Sequence, residues 1–389
     1  MTSPVVSNAK HVILGASGNT GSVVADFLLS KGEKVRVVGR DAGRLQRFVD
    51  KGAEAFIAEL TDVAALTKAF SGARAGYLLL PPVKSRETQD RESDSIAKAV
   101  KESGLRYAVH LSSYGAQVPE NTGPLVGLHA SEEKLNAISG LNVLHLRAGY
   151  FMENNLAAIG MIHGMGIFGN ALLPDVKVPM IATRDVGDYA AQRLLQLDFS
   201  GKQTRELLGE RDLSMTEVTA VIAHGIGKPD LRYQQFSYDQ IQQALTDLGV
   251  PPKGAALYVE MYKAINERVV VALEPRSPEN TTPTSFESFV QDVQPADRIQ
   301  FFFRSMQPHE WPGVFRNLRA VAAQMHRVAQ ARLLHSFRNR IALARLGLPG
   351  FHRWQQQVCG ARTAESFRER SRIGQLSCER FRAFVHKAL

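Results

Sequence analysis

The segment HVILGASGNTG, residues 11–21, decides the fold. A short apolar strand breaks into three glycines, Gly15, Gly18 and Gly21, and then continues into a helix. This order predicts a dinucleotide-binding turn, because the chain must turn tightly, approach a pyrophosphate closely and pack the new helix against the strand. Phosphate favours a helix N-terminus, where unpaired N–H groups and the helix dipole attract negative charge. We therefore expect the cofactor to contact the turn residues Gly15, Ser17, Gly18, Asn19, Thr20 and Gly21.

The second strand, within KVRVVGR at residues 34–40, indicates which dinucleotide binds. It ends at Arg40, where an NAD-selective fold usually carries an acid for the ribose 2′-hydroxyl. An acid would repel a 2′-phosphate, whereas a guanidinium can hold it through two contacts. Arg44 lies one helical turn further on and would add a second cation. The alternative is that both are surface arginines at an exposed helix start; we predict NADP(H).

Strands and helices continue to alternate as far as about residue 150. Six strands separated by helices predict an α/β fold, a Rossmann-type doubly wound parallel sheet in which ligands bind at the carboxyl ends of the strands. Leu80 and Pro81 end the fourth strand and Ser112 lies at the end of the fifth, so we expect all three near the cofactor. Residues 151–293, with short helices over 185–197, 214–227 and 237–248, are predicted to form a smaller substrate-cleft cap that interleaves with the nucleotide domain or follows it. The helix after the fifth strand is expected to begin near His129.

The remaining segment, residues 294–389, has a different composition. It holds 16 of the chain's arginines with a single lysine, and it accounts for the net charge of +9, since residues 1–293 carry slightly more acids than bases. It is interpreted as a basic appendage that binds nucleic acid, an amphipathic helix that docks on a partner or membrane, or a fused or frame-shifted segment.

Composition also limits the class of protein. The chain has no run of eighteen apolar residues, and its first residues lack the basic start and apolar core of a signal peptide. Its two cysteines give neither a disulfide framework nor metal-ligand spacing, and its histidines are scattered. We therefore expect a cytoplasmic protein without a metal.

Several motifs together resemble a known family. GASGNTG, VVGRD, LSSYGA at 111–116, HASEEKL at 129–135 and LRAGYFMEN at 146–154 are similar to the NmrA-like, or atypical short-chain dehydrogenase, family over about residues 10–290. The resemblance implies an NADPH-dependent reductase of quinones or azo dyes, or a redox-sensing regulator that binds the cofactor without turnover and acts through a protein partner. It matches nothing in residues 294–389.

One catalytic feature of ordinary short-chain dehydrogenases is missing. No tyrosine is followed four residues later by lysine, and Leu128 with His129 occupies the position where reductase members commonly carry a lysine. Ketone reduction needs a positioned acid, whereas quinone reduction forms a more stable anion and can depend on hydride positioning alone.

The remaining candidates follow from position. Tyr114 and His129 are the candidate catalytic residues, with loop hydrogen bonding and a helix-start role as the alternatives. Tyr150, Phe151 and Asn154 follow the sixth strand and would wall the nicotinamide and stack a small aromatic substrate, with core packing as the alternative for the two aromatics. The sequence thus leaves two hypotheses, a quinone or azo reductase and a non-catalytic NADP(H) sensor.

Overall fold

The structure is a computed structural model and describes residues 10–293; the predicted appendage at residues 294–389 lies outside the described residues. The strands in this range are β1 (His11–Leu14), β2 (Val35–Gly39), β3 (Glu54–Ile57), β4 (Ala75–Leu78), β5 (Tyr107–Ser113), β6 (Asn142–Ala148), β7 (Tyr150–Phe151), β8 (Ile167–Asn170), β9 (Val178–Ile181), β10 (Lys202–Leu207), β11 (Asp212–Leu213) and β12 (Arg232–Gln235). The α-helices are α1 (Asn19–Ser30), α2 (Ala42–Val49), α3 (Val63–Phe70), α4 (Arg86–Ser103), α5 (Pro124–Asn136), α6 (Ile159–Met165), α7 (Thr183–Gln196), α8 (Met215–Gly225), α9 (Tyr238–Asp247), α10 (Pro252–Asn266) and α11 (Phe286–Asp292), with a 3-10 helix over Met152–Ala158.

Seven strands form one sheet in the order β10-β6-β5-β4-β1-β2-β3, and every neighbouring pair is parallel. Helices connect successive strands, which confirms the predicted Rossmann-type doubly wound fold. The order reverses beside β1, because β2 lies on one side of it and β4 on the other. A crevice forms at such a reversal, at the carboxyl ends of the strands, so β1 leads directly into the expected ligand position.

Apolar side chains bury both faces of this sheet. Within β1, Ile13 belongs to a core shared with α1 and α7, whereas Val12 and Leu14 belong to a core shared with α3 and α4. Such a strand must be apolar on both sides, which explains why its sequence is continuously hydrophobic. A third core, the cap core, buries Tyr150 and Phe286 and is formed mainly by residues beyond position 150.

The sheet has one strand more than the six predicted, and this strand comes from beyond residue 150. β10 pairs with β6, with Lys202 opposite Val143 and Leu207 opposite Ala148. Its sequence, KQTREL, lacks an apolar run because β10 is an edge strand whose first three residues are exposed. Residues 151–293 therefore contribute a strand to the main sheet.

The helix that contains His129 begins earlier than predicted. α5 starts at Pro124 rather than near His129, because Gly123 adopts a positive φ of 59° and proline is favoured in a helix's first turn. The expectation of a helix-start role for His129 is therefore wrong, since its side chain lies in the second turn. α7, α8 and α9 confirm the helices predicted over 185–197, 214–227 and 237–248, and α7 packs against α1 and the sheet.

One further helix, α10, begins at the residue pair Pro251–Pro252. Pro252 is the first residue of α10, a helix that the sequence interpretation missed. Within residues 10–293, no helix is both long and apolar enough to cross a membrane.

Candidate functional site

The glycine turn between β1 and α1 has the geometry that the sequence predicts. Gly15 adopts a positive φ of 62°, and the amide of Gly18 donates a 2.9 Å hydrogen bond to the Gly15 carbonyl. A Cβ on Gly21 would lie only 2.4 Å from the same carbonyl oxygen, so only glycine lets α1 pack this closely against the turn. The three glycines therefore form one compact turn.

The N-terminus of α1 is open to an anion. Gly18 is the N-cap, no side chain in the described residues caps it, and the first turn contains no acid. Ser17, Gly18 and Asn19 are exposed, whereas Thr20 is buried beneath them. Backbone N–H groups left without a capping acceptor at a helix N-terminus suit a phosphate group. The turn therefore fits the pyrophosphate of a dinucleotide.

Arg40 follows β2 as an exposed residue and is available to a ligand. Within residues 10–293 it forms no ion pair within 4.0 Å. The neighbouring acid, Asp41, is occupied as the N-cap of α2, where it accepts hydrogen bonds from the amides of Gly43 (2.8 Å) and Arg44 (3.3 Å). The Arg44 Nε lies 4.0 Å from an Asp41 oxygen, so Arg44 is partly engaged.

A half-buried carboxylate, which the sequence interpretation did not single out, lies close enough to Arg40 to interact electrostatically. Burial raises the pKa of Glu92 above its usual value, although Lys84, Arg40 and Arg91 each oppose that shift. Glu59 is a second acid and raises the same pKa, so three basic residues and two acids interact near the end of β2. α4 carries Glu92 and Arg91, and nothing in its local sequence signals that Glu92 lies near Arg40.

Leu80, Pro81 and Ser112 follow or end neighbouring strands of the sheet. Leu80 and Pro81 come after β4 and are half-buried, and a Cβ on Gly15 would lie only 2.9 Å from the side chain of Leu79 before them. Ser112 lies near the end of β5 and is buried, with its hydroxyl donating a 2.5 Å hydrogen bond to Glu132 of α5.

Glu132 is the centre of a buried ion pair that the sequence interpretation missed. Arg147 of β6 contacts both of its oxygens, through Nε at 3.0 Å and through an NH2 group at 2.6 Å. Burial raises the pKa of Glu132, but the hydrogen bonds from Arg147 and Ser112 outweigh that effect and leave its pKa lowered. Glu206 of β10 lies opposite Arg147 in register and adds a second negative charge. The sequence contains one signal that could have revealed this pair. Arg147 lies within the apolar strand β6, and a buried arginine requires a counter-ion.

The two candidate catalytic residues have different environments. His129 is half-buried, and its Nδ1 lies 2.9 Å from the carbonyl oxygen of Ala116. That contact requires Nδ1 to carry the proton, so Nε2 is the nitrogen left for exchange with a ligand. Tyr114 is buried, its hydroxyl has no hydrogen-bond partner in the described residues, and burial raises its pKa.

The three candidate substrate residues also differ in exposure. Tyr150 is 7% exposed and lies in the cap core, where its hydroxyl accepts a 3.4 Å hydrogen bond from the Asn170 amide. Phe151 is half-buried against the core that Ile13 shares with α1 and α7, and Asn154 is exposed. Of the three, Phe151 and Asn154 therefore present accessible surface.

A second feature, also unrecognised in the sequence, is a buried histidine pair on β5 and β6. The Nδ1 atoms of His110 and His145 lie 3.0 Å apart, and the Nε2 atom of His145 lies 3.0 Å from the Asn136 side-chain oxygen. Because that oxygen must accept, His145 donates from Nε2 and accepts at Nδ1 from His110. Burial lowers the pKa of both, to about 4 for His145.

The model of the NmrA-like family matches residues 7–289. No curated protein matches the chain significantly.

Solved structures with the same fold differ in what they do. An NADPH-dependent quinone oxidoreductase from Escherichia coli, complexed with NADPH, is 23% identical with a TM-score of 0.62; the match covers 73% of this chain and 99% of that one. A nucleoside-diphosphate-sugar epimerase from Staphylococcus aureus is 17% identical with a TM-score of 0.63, over 73% of this chain and 100% of the other. NmrA, a negative transcriptional regulator solved with NADP, is 15% identical with a TM-score of 0.58, over 75% and 98%. At these identities the likeness shows a shared fold. The family match covers most of the chain, and the protein belongs to the NmrA-like family.

Proposed function

We propose that this protein binds NADP(H) at the turn between β1 and α1 and transfers hydride to a quinone-like or azo acceptor. The observation that carries the proposal is the uncapped N-terminus of α1 above a turn that only glycine allows, followed by Arg40 without an ion pair in residues 10–293. In this arrangement the turn holds the pyrophosphate, and Arg40 with Arg44 holds the 2′-phosphate. Leu80, Pro81 and Ser112 line the cofactor further along.

Family membership supports a nicotinamide cofactor. The quinone oxidoreductase and the regulator NmrA were solved with NADPH and NADP respectively. The sequence-based prediction of NADP(H) agrees with both structures.

The reduction requires little from the protein beyond positioning. When bound, NADPH supplies a hydride, that is two electrons and one proton. A quinone that accepts it becomes a hydroquinone anion and takes one further proton, which water can supply. Phe151 and Asn154 would place the acceptor, with Tyr150 behind them. His129 would exchange a proton through Nε2, because its Nδ1 is held by Ala116.

A second function, a redox sensor that acts through a protein partner, is favoured by one observation. The Tyr114 hydroxyl lies in the buried cap core, and its raised pKa makes it a poor proton donor. Without an acidic tyrosine and a lysine partner, the site cannot supply the positioned proton that ketone reduction needs, which leaves quinone reduction or cofactor binding without turnover. NmrA, a protein with this fold that was solved with NADP, is a negative transcriptional regulator, which supports a regulatory role as the second candidate.

One assay separates the two functions. The purified full chain is mixed with NADPH and a panel of benzoquinones, and the absorbance of the reduced nicotinamide is followed. The reductase proposal predicts that the wild type oxidises NADPH well above the uncatalysed rate. The Gly21→Ala variant should oxidise NADPH only at the uncatalysed rate, because its turn cannot close. Measurable NADPH binding without oxidation would contradict the reductase proposal and leave the sensor.

A further inference from the structure

An exposed apolar segment, RVVVALE at residues 268–274, follows α10. Seven large apolar side chains are exposed in residues 10–293, and three of them lie in this segment: Val269 (43%), Val271 (43%) and Leu273 (61%). Val270 is buried in the cap core and Ala272 is half-buried. Exposure that alternates from one residue to the next indicates an extended chain, whose successive side chains point to opposite sides. The three exposed side chains therefore lie on one side of the segment.

The backbone of this segment is held in place at several points. Glu206 of β10 accepts hydrogen bonds from the amides of Leu273 (2.8 Å) and Glu274 (2.7 Å). The side-chain amide of Gln117, in the loop after β5, donates a 2.9 Å hydrogen bond to the Val271 carbonyl. A backbone that is already fixed loses little conformational entropy when a partner covers its side chains. The segment is therefore suited to binding another protein surface.

The residues of this segment are complementary to a second copy of themselves. When two copies run antiparallel about a two-fold axis at Val271, Val269 of one copy faces Leu273 of the other. Arg268 at one end of the segment then lies opposite Glu274 at the other end. Arg268 is exposed and Glu274 is partly exposed, so both charges are accessible to a partner. Each of these contacts occurs twice, as in any interface between identical chains related by a two-fold axis.

We propose that residues 268–274 form the centre of a homodimer interface, in which two copies pack antiparallel about a two-fold axis at Val271. The exposed apolar side chains of each copy cover those of the other, and Arg268 pairs with Glu274 at both ends. Glu274 also pairs with Arg205 of its own chain at 3.3 Å, and a carboxylate has enough acceptor sites for both guanidinium groups. The proposal goes beyond the proposed reductase function and does not depend on it.

Sedimentation velocity of the full chain tests the proposal. An interface with so few apolar side chains at its centre is weak, so we expect a monomer–dimer equilibrium with a dissociation constant on the order of 1–100 µM. Leu273→Lys places a charge at the apolar contact in both halves of the interface and should weaken dimerisation at least about tenfold. Val49→Lys is the matched control, because Val49 is also an exposed valine but lies on α2, and it should leave dimerisation unchanged.

A charge exchange between the two ends tests the antiparallel arrangement. Arg268→Glu alone brings two acids together at each end, and Glu274→Lys alone brings two cations together. Each variant should therefore dimerise at least about threefold more weakly than the wild type at low ionic strength. In an equimolar mixture of the two variants, the mixed dimer has opposite charges at both ends and should regain the wild-type affinity.

The midpoint of thermal unfolding and the NADPH affinity are measured for every variant, and both should stay near the wild-type values. A wild type that stays monomeric up to about 300 µM would overturn the proposal. A dimer that Leu273→Lys does not weaken, equal weakening by Val49→Lys, or a mixture of the two charge variants that does not regain affinity would each overturn it as well.

Discussion

The hydroxyl of Ser112 donates a 2.5 Å hydrogen bond to Glu132, which also forms the buried ion pair with Arg147. This relationship joins the carboxyl end of β5 to α5 and, through Arg147, to β6. These contacts therefore hold the carboxyl ends of β5 and β6 in place, and this is the end of the sheet where we propose that the substrate meets the cofactor.

The Glu132→Gln variant should be less stable by about 3 kcal/mol, because it leaves the partly buried Arg147 without its closest negative partner. Urea-induced unfolding at neutral pH measures this loss. Glu133→Gln is the matched control, since Glu133 is the exposed neighbour on the same helix and should change stability by less than about 0.5 kcal/mol. Equal effects of the two substitutions would show that the ion pair does not stabilise the fold.

The histidine pair predicts how stability depends on pH. The pKa of His145 is about 4 in the folded protein and near 6.5 when unfolded, so below pH 6.5 the unfolded chain binds protons that the folded one does not. The stabilising contribution is complete above pH 6.5 and is lost as the pH falls towards 4. At pH 5 the free energy of unfolding should be about 2 kcal/mol lower than at pH 7 from this group alone, and lowering of the His110 pKa acts in the same direction.

Urea unfolding of wild type, His145→Gln and His224→Gln at pH 7 and pH 5 checks this prediction. His224 is exposed on α8, so its replacement should leave the pH dependence unchanged. His145→Gln should have a clearly smaller pH dependence. The same loss of stability between pH 7 and pH 5 in all three proteins would contradict it.

The glycine turn predicts the effect of one added methyl group. Gly21→Ala places a Cβ 2.4 Å from the Gly15 carbonyl, so the turn must open, at a cost of about 1–3 kcal/mol in stability. NADPH affinity, followed by nicotinamide fluorescence, should fall with it. Gly164→Ala is the control, because that glycine lies in α6 with no atom within 4 Å of the added methyl group. If Gly21→Ala binds NADPH like the wild type, the turn is not the pyrophosphate site.

Local sequence was sufficient for the elements that bury apolar residues on a regular period. The continuously apolar β1 and the glycine turn follow from local pattern. β10 did not, because an edge strand is half exposed and its polar sequence resembles a loop. α10 was missed because two prolines indicate a break, although the second of them begins a helix.

The candidate site likewise contains some residues whose positions local sequence predicts and others whose positions it does not. The turn residues and Arg40 are adjacent in sequence to the strands that place them, so their positions could be predicted. Glu132 and Arg147 meet through the packing of α5 on the sheet, and His110 and His145 through the register of β5 with β6. Contacts of this kind depend on tertiary structure, for which one sequence carries no direct signal.

The central claim is that the turn and Arg40 together select NADP(H), and the Arg40→Asp variant tests it most directly. Affinities of NADPH and NADH are measured by titration for wild type, Arg40→Asp and the control Arg106→Asp, whose exposed side chain precedes β5. Loss of a charge-assisted contact to the 2′-phosphate predicts NADPH affinity at least about tenfold weaker in Arg40→Asp, with NADH nearly unchanged and both unchanged in the control. Equal weakening of NADPH and NADH in Arg40→Asp, or no weakening of either, would contradict the assignment.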